Sequence, residues 1–406
     1  MDDTNPAGGF APFGGHKALD SDTDTHETLR NAAKYRDARK YQDYFIVDLD
    51  THHYEGASWT EIIDFIEDPI LRSEAQSFKR RPDSRVGQVL YHANGGQFSQ
   101  SVAGRITHSN LTPGENRADK SVHADVEPLR KAMDAFGIDR MILFPNALLQ
   151  VGTHPHVKTE VNLAFAYAKF LTEMVLLGEP RLKTVGLLPF NDPDACVRMI
   201  EMYGDHPSVV GFCITSARYN PVHDNRYMRI YSMLEERGLP LSFHAGFNWN
   251  DGYMRQLDRF ISMHAISFVL CNMVHLTNWV LHGMCERFPK LPVVWIESGL
   301  AYLVFLMQRL DNEYLMRQSE APLLKKLPSD YIRDMYYDTL VFTDEALRHL
   351  AHEVGVEKLV IGTDHPIPWQ ADSVNHILNC PHFTDAQKRM MLGETAGKLL
   401  GISPEF

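Results

Sequence analysis

The chain has 406 residues, 44% of them hydrophobic, enough to bury one large α/β domain with decorations or two smaller domains. Its formal net charge of −12, with no basic run and no basic stripe interleaved with aromatics, argues against a nucleic-acid partner and for small-molecule chemistry. The 5 cysteines never stand at C-x-x-C spacing, so neither a disulfide framework nor a thiolate zinc site is expected. No apolar stretch reads as long enough to span a membrane, and the acidic, Gly-rich N-terminus is unlike a signal peptide, so a cytoplasmic protein is expected.

Residues 1 to about 25 read as an arm, and HETLRNAAKYRDARKYQDY as a polar helix, so that residues 1–44 precede a folded domain over 45–403. Eight strand-like runs follow in order: FIVDLD (45–50), RMILFP (140–145), LKTVGLLP (182–189), VVGFCI (209–214), LPLSFH (239–244), LPVVWIE (291–297), MYYDTL (335–340) and KLVIGTD (358–364). Amphipathic stretches such as NRYMRIYSMLEERG and TDEALRHLAHEVG lie between them, each ending in the glycine that closes a helix. Parallel neighbours need crossover connections, so this alternation predicts a parallel sheet and fits a (β/α)8 TIM barrel; the count alone leaves a doubly wound open sheet open. Two connections are long. Residues 56–139 form a large insertion, read as an excursion over the barrel mouth or an oligomer contact, and residues 245–290 hold a loop and a long helical run.

Successive strand residues point to opposite faces, so Asp48, Asp50 and His52 share one face of the first strand. In a barrel that face is the interior, where a carboxylate is costly unless paired or bound to a cation. Later strands end in His244, Glu297 and Asp364, which a barrel would bring to the same C-terminal mouth. Histidine and carboxylate donors without cysteine suit zinc, manganese or iron, and the extra carboxylates favour manganese or iron. Each residue also has a plain structural reading: Asp364 as a helix cap, His244 as a core histidine, Glu297 as a turn residue. Arg218 and Tyr219, past the fourth strand, stand at the height to meet an anionic substrate group; Trp249 and His275 are further candidate contacts, and His365 a proton-transfer group. His154 and His156 read as a solvated pair, and His53 falls on the face opposite the donors.

VDLDTHHYEGASW, GLPLSFHAG, CERFPKLPVVWIESGLAYLVFLMQRLDNEY, KLVIGTDHPIPW and GETAGKLLGI, in this order, resemble the amidohydrolase superfamily, and within it the amidohydrolase-2 branch of aminocarboxymuconate semialdehyde decarboxylase and related enzymes. The resemblance implies a metal-dependent (β/α)8 barrel in which Asp50, His52, His244 and Asp364 are ligands, Asp48 is a structural acid, and Asp364, Glu297 and His365 move protons. Asp50 stands where the family usually has histidine, as in a D-x-D-x-H-x-x-E subgroup to which Glu55 and Trp59 also conform. Glu297 stands where its decarboxylases place a catalytic histidine. The implied activity is hydrolysis or decarboxylation of a small organic acid or amide with one divalent metal or two. The alternative is a subunit of a dinuclear iron or manganese oxygenase, as in the relative that hydroxylates 2-aminoisobutyrate with two homologous subunits, or a non-catalytic partner of such an enzyme. In the dinuclear case Glu297, Asp50 and a histidine such as His264 or His275 would hold the second ion. A small carboxylic acid is the expected substrate, and a homo-oligomer or a hetero-oligomer with a homologous subunit the expected assembly.

Overall fold

In the computed structural model, eight parallel strands lie side by side in sequence order. The structure describes residues 24–79, 111, 119–339, 344–366 and 373–404. The strands are β1 (Val47–His53), β2 (Arg140–Pro145), β3 (Leu182–Leu187), β4 (Val209–Thr215), β5 (Leu241–His244), β6 (Val293–Ile296), β7 (Tyr336–Asp338) and β8 (Leu359–Val360). The sheet closes on itself: the amide of Leu49 donates to Ile361 O at 2.9 Å and that of His52 to His365 O at 2.8 Å, and Asp48 and Thr51 pair with Ile361 and His365. Closure removes both sheet edges and makes a (β/α)8 barrel of what the strand count left open.

The helix over Thr25–Arg39 ends at Lys40 in the left-handed conformation, and the chain then enters β1. Met228–Arg237 and Asp344–Val354 end, as expected, at Gly238 and Gly355, both at positive φ. The β1 to β2 connection carries helices Glu55–Ile62, Pro69–Lys79 and Val126–Phe136. The segments RRPDSRVGQ and NGGQFSQS, on which the excursion over the mouth was expected, lie outside the described residues, as does the arm before residue 24.

The strands are buried on both faces, as parallel barrel strands must be. Outward-facing Phe243 stacks on Trp295 at 4.4 Å and meets Trp279 of helix Phe260–Leu281 at 5.5 Å, so large aromatics fasten that helix to β5 and β6. Each such side chain contributes on the order of 2–3 kcal/mol by leaving water. One expectation needs correcting. Val157–Gly178 and Phe260–Leu281 are each 22 residues long and apolar enough to cross a membrane. Both are wound around the barrel, and what their composition reflects in Val157–Gly178 is packing, since more than half of its most apolar window is buried.

Candidate metal centre at the barrel mouth

β1 stays extended through His53, so Asp48, Asp50 and His52 do share the inner face. Asp48 is sealed from solvent and accepts from Thr51 Oγ1 (2.7 Å), Thr363 N (2.9 Å), Thr363 Oγ1 (2.5 Å) and Asp50 N (3.2 Å). It ties β1 to β8. Burial pushes its carboxyl up to about 6 against the pull of the Thr363 and Thr51 hydrogen bonds. Asp50, one pleat further on, meets His244 Nε2 at 3.3 Å and His52 Nε2 at 3.8 Å. Gly362 of the β8 exit makes that position possible, because a Cβ there would overlap the Cβ of Asp50.

His52 Nε2 faces Asp364 Oδ1 at 3.2 Å while its Nδ1 is held 2.9 Å from Pro145 O. Burial by itself would keep this imidazole neutral. The hydrogen bond and charge of Asp364, then the charge of Asp50, outweigh it and carry His52 up to about 9. His244 is fixed in the same way, its Nδ1 2.8 Å from Ala245 O and 3.5 Å from Glu297 Oε2. Its ring sits edge-on to His52 at 5.0 Å, over Phe144 at 4.8 Å. Burial and the charges of Asp364, Asp50 and Asp338 raise the Glu297 carboxyl well above the ordinary range. Burial likewise raises Asp364, against the opposing hydrogen bond and charge of His52.

Glu297 and Asp364, each just past the end of its strand, have φ of 62° and 51°. Side chains other than glycine enter this left-handed region at a cost of roughly 1–3 kcal/mol, so the surroundings must enforce it. The Glu297 amide donates to Asp338 Oδ2 at 2.6 Å and the Asp364 amide to Asp50 O at 2.8 Å. The backbone turn at both points aims a carboxylate at the barrel axis.

Two groups of potential ligand atoms result, Asp50–His52–His244 and His52–Glu297–Asp364, each with its atoms within 4.8 Å of one another. Three carboxylates crowded in a buried space repel one another, and Glu297 Oε2 is buried with no hydrogen-bond donor among the described residues. A divalent cation would relieve both, so the donor set fits a metal of the zinc, manganese or iron type, with the oxygen-rich composition favouring the latter two.

The other residues singled out from sequence do not join this group. Arg218 is buried behind β4, its guanidinium 4.1 Å over the Phe190 ring and its Nε donating to Asn220 O at 3.0 Å. Tyr219 is exposed, and Trp249 is half-buried with Nε1 donating to Leu257 O at 3.3 Å. His275 Nε2 lies 3.0 Å from Ser216 O on the outer side of the wall, and burial holds its imidazole down to about 3. The idea that His264 or His275 completes a second metal site is corrected accordingly: His264 lies among Phe247, Phe260 and Phe268, and the histidines beside Glu297 and Asp50 are His52 and His244. His365 adjoins the centre through its backbone, while its ring turns towards Phe136 at 5.9 Å. His53, facing outward, pairs with Asp125 Oδ2 at 2.9 Å.

Two further residues support the centre: Asp338, absent from the strand-end set read from sequence, and Glu55, noted there only as part of the D-x-D-x-H-x-x-E pattern. Asp338 ends the β7 run as Glu297 and Asp364 follow theirs, and the rule applied to those strands would have found it. Glu55 is fully buried and accepts the amides of Asn146 (3.0 Å), Ala147 (2.9 Å) and Leu148 (3.1 Å), fastening the exit of β2 beside β1.

A parallel barrel that gathers carboxylates and imidazoles at the C-terminal ends of its first, fifth, sixth and eighth strands has the layout in which barrel enzymes keep their active sites. The sequence model of the amidohydrolase-2 family, described as an amidohydrolase, matches residues 107–402, and the chain belongs to that family. Among curated proteins, 131 residues are 26% identical to the 2-amino-3-carboxymuconate-6-semialdehyde decarboxylase of Dictyostelium discoideum; this covers 32% of the chain and only 36% of that relative. Among solved structures, the 5-carboxyvanillate decarboxylase of Sphingomonas paucimobilis superposes with a TM-score of 0.63 at 20% identity, covering 89% of this chain and 100% of that one. The dihydroxybenzoic acid decarboxylase of Polaromonas sp. JS666, solved with manganese and 2-nitroresorcinol, gives 0.63 at 19% identity over 88% and 97%. These likenesses support the barrel fold.

Proposed function

We propose that the protein is a metal-dependent carboxy-lyase of the amidohydrolase superfamily, acting on a small carboxylic acid, with Asp50, His52, His244, Asp364 and Glu297 holding the metal. The observation that carries this is the buried convergence of those five side chains at the mouth. The decarboxylase relatives favour loss of carbon dioxide over hydrolysis, and the manganese of the Polaromonas enzyme favours manganese here. A divalent metal supplies a Lewis acid for a substrate carboxylate and lowers the pKa of a bound water.

The chain's own residues supply the rest. When the carbon–carboxyl bond breaks, its electron pair stays on carbon, which then needs a proton. Asp364 and Glu297 are the groups placed to carry it, since a carboxylate that lets go of the ion can take up a proton and pass it on. His52 and His244 are oriented by Pro145 O and Ala245 O, so neither ring has to search for its pose. The buried floor around Phe144 keeps bulk water from the reacting carbon.

A second reading rests on a specific feature: three carboxylates, Asp50, Glu297 and Asp364, stand with only two histidines, and because a carboxylate can bridge two ions this set suits a dinuclear iron or manganese oxygenase. Residues 45–403 are proposed as the barrel domain with residues 1–44 before it. The assembly is proposed to be an oligomer in the cytoplasm, a reading supported by five free cysteines and by the exposed apolar residues Ile261, Ile266 and Phe305. Metal content per chain, after loading with manganese, iron or zinc, tests the function together with oxygen uptake and carbon dioxide release from a panel of aromatic acids. One ion and oxygen-independent release support the lyase. Two iron or manganese ions with oxygen consumption sink it in favour of the oxygenase. Unchanged metal content in Asp50→Ala and Asp364→Ala, with the fold intact, would show that the ligand set is wrong.

A further inference from the structure

A cavity of about 270 Å³ opens at the C-terminal ends of β1, β2 and β8, with His52 forming part of its wall. The rest of that wall is mainly apolar, from Ala57, Pro128, Leu129, Ala147 and Pro366, with the imidazole of His365 among them. The acids at its rim are already engaged. Glu55 is occupied by three backbone amides, and Asp125 accepts through Oδ2 from His53 Nε2 at 2.9 Å and Ser58 Oγ at 2.5 Å, while its Oδ1 has no donor among the described residues but is buried away from the cavity's accessible space. His53 Nδ1 also lacks a partner, yet it is fully buried.

His365 differs. The residue is only 4% exposed, and no hydrogen bond to either ring nitrogen is found among the described residues; its backbone amide and carbonyl are the groups that are bonded. Neither ring nitrogen is among the side-chain atoms buried without a partner, so both touch accessible space, and in the wall of an apolar cavity an imidazole with both nitrogens open is an incomplete recognition site. A hydroxyl completes it whichever tautomer is present, since it both donates and accepts. Among the described residues no lysine or arginine lines the cavity, and the one imidazole there that is raised, His52, belongs to the metal centre, so the cavity's own wall offers an anionic group nothing.

We propose that this cavity receives the apolar body of the substrate and that His365 selects a body bearing a hydroxyl, leaving the carboxylate for the metal centre beyond His52. His365 is thus a specificity-determining residue. This assignment rests on the carboxy-lyase reading for its second half, the direction of the carboxylate. The volume fits a hydroxylated ring or a branched alkyl alcohol of similar size.

Two probes separate the contributions: 4-fluorophenol, which carries the hydroxyl, and fluorobenzene, which does not. Both are followed by fluorine NMR on zinc-loaded and manganese-loaded protein. The wild type is expected to bind both saturably and the phenol up to about tenfold more tightly, the worth of one net hydrogen bond. Manganese should strongly broaden the bound signals, because the cavity adjoins the centre. His365→Phe should erase the preference while fluorobenzene still binds, and Ala57→Trp, at the cavity's open side, should weaken both probes. The proposal is overturned if neither probe saturates, if the preference survives His365→Phe, if Ala57→Trp changes nothing, or if manganese leaves the bound signals sharp. A wild type that takes up manganese yet fails these tests leaves the carboxy-lyase reading standing. A wild type that takes up no metal overturns that reading and this subsite with it.

Discussion

Loading the centre with metal should drive protons off the protein. His52 can ligate only as the neutral imidazole, and its place between Asp364 and Asp50 raises it to about 9, so at pH 7.5 it is almost fully protonated. Nearly one proton must therefore leave with each metal bound through His52. Glu297, held well above the ordinary carboxyl range, adds a further fraction. A raised pKa means that the proton competes with the metal at every pH below it. Apparent affinity should fall about tenfold from pH 8 to pH 7 on account of His52 alone, roughly 1.4 kcal/mol. Titration calorimetry of manganese binding in buffers of differing ionisation enthalpy measures the protons released, and competition with a chelator measures the affinity. In Asp364→Asn the main force raising His52 is gone, and proton release should drop along with affinity. No proton release at pH 7.5, together with a flat affinity between pH 7 and pH 8.5, would refute the placement of His52 as a ligand.

Three further outcomes are expected. Gly362→Ala should push Asp50 off its position by steric overlap of the two Cβ atoms, so metal content drops severalfold while circular dichroism remains native. Glu55→Gln removes a buried carboxylate from three amides and should cost about 2–4 kcal/mol in urea unfolding; a loss below 1 kcal/mol would mean the cap is dispensable. Glu160 is lifted to about 7 by burial, against the Arg218 charge, so the folded state binds a proton between pH 4.5 and 7 that the unfolded chain has released. Its contribution to stability is therefore fully present below pH 4.5 and is lost as pH rises through 7, by up to roughly 3 kcal/mol. Glu160→Gln should gain on the wild type between pH 5 and pH 8, and a constant difference across that range would refute the shift.

The sequence by itself determined the parts whose information is local. Strand alternation placed Asp48, Asp50 and His52 on one face because the pleat has a period of two, and the apolar runs located all eight strands because strands buried on both faces are written mostly in apolar residues. The donors His244, Glu297 and Asp364 were legible for the same reason: each sits at a strand end, and barrel topology carries every such end to one mouth.

Beyond the strand ends that logic stops, because loop torsions and distant neighbours decide where a side chain points. Arg218 stood at the right height but packs over Phe190 behind β4, and His275, on the helix Phe260–Leu281, is held by the carbonyl of Ser216. His365, next to a proposed ligand, sets its ring edge-on to Phe136 beside the side cavity rather than at the metal centre. Closure of the barrel depends on β1 meeting β8 across some three hundred residues, through Leu49 to Ile361 and His52 to His365, and no local pattern encodes that pairing. Only the folded barrel, in which Asp338 and the Asp50 carbonyl hold two strained backbones, could decide that Glu297 and Asp364 turn inward. Left-handed torsions at non-glycine residues are a cost that tertiary contacts impose and that sequence preference argues against.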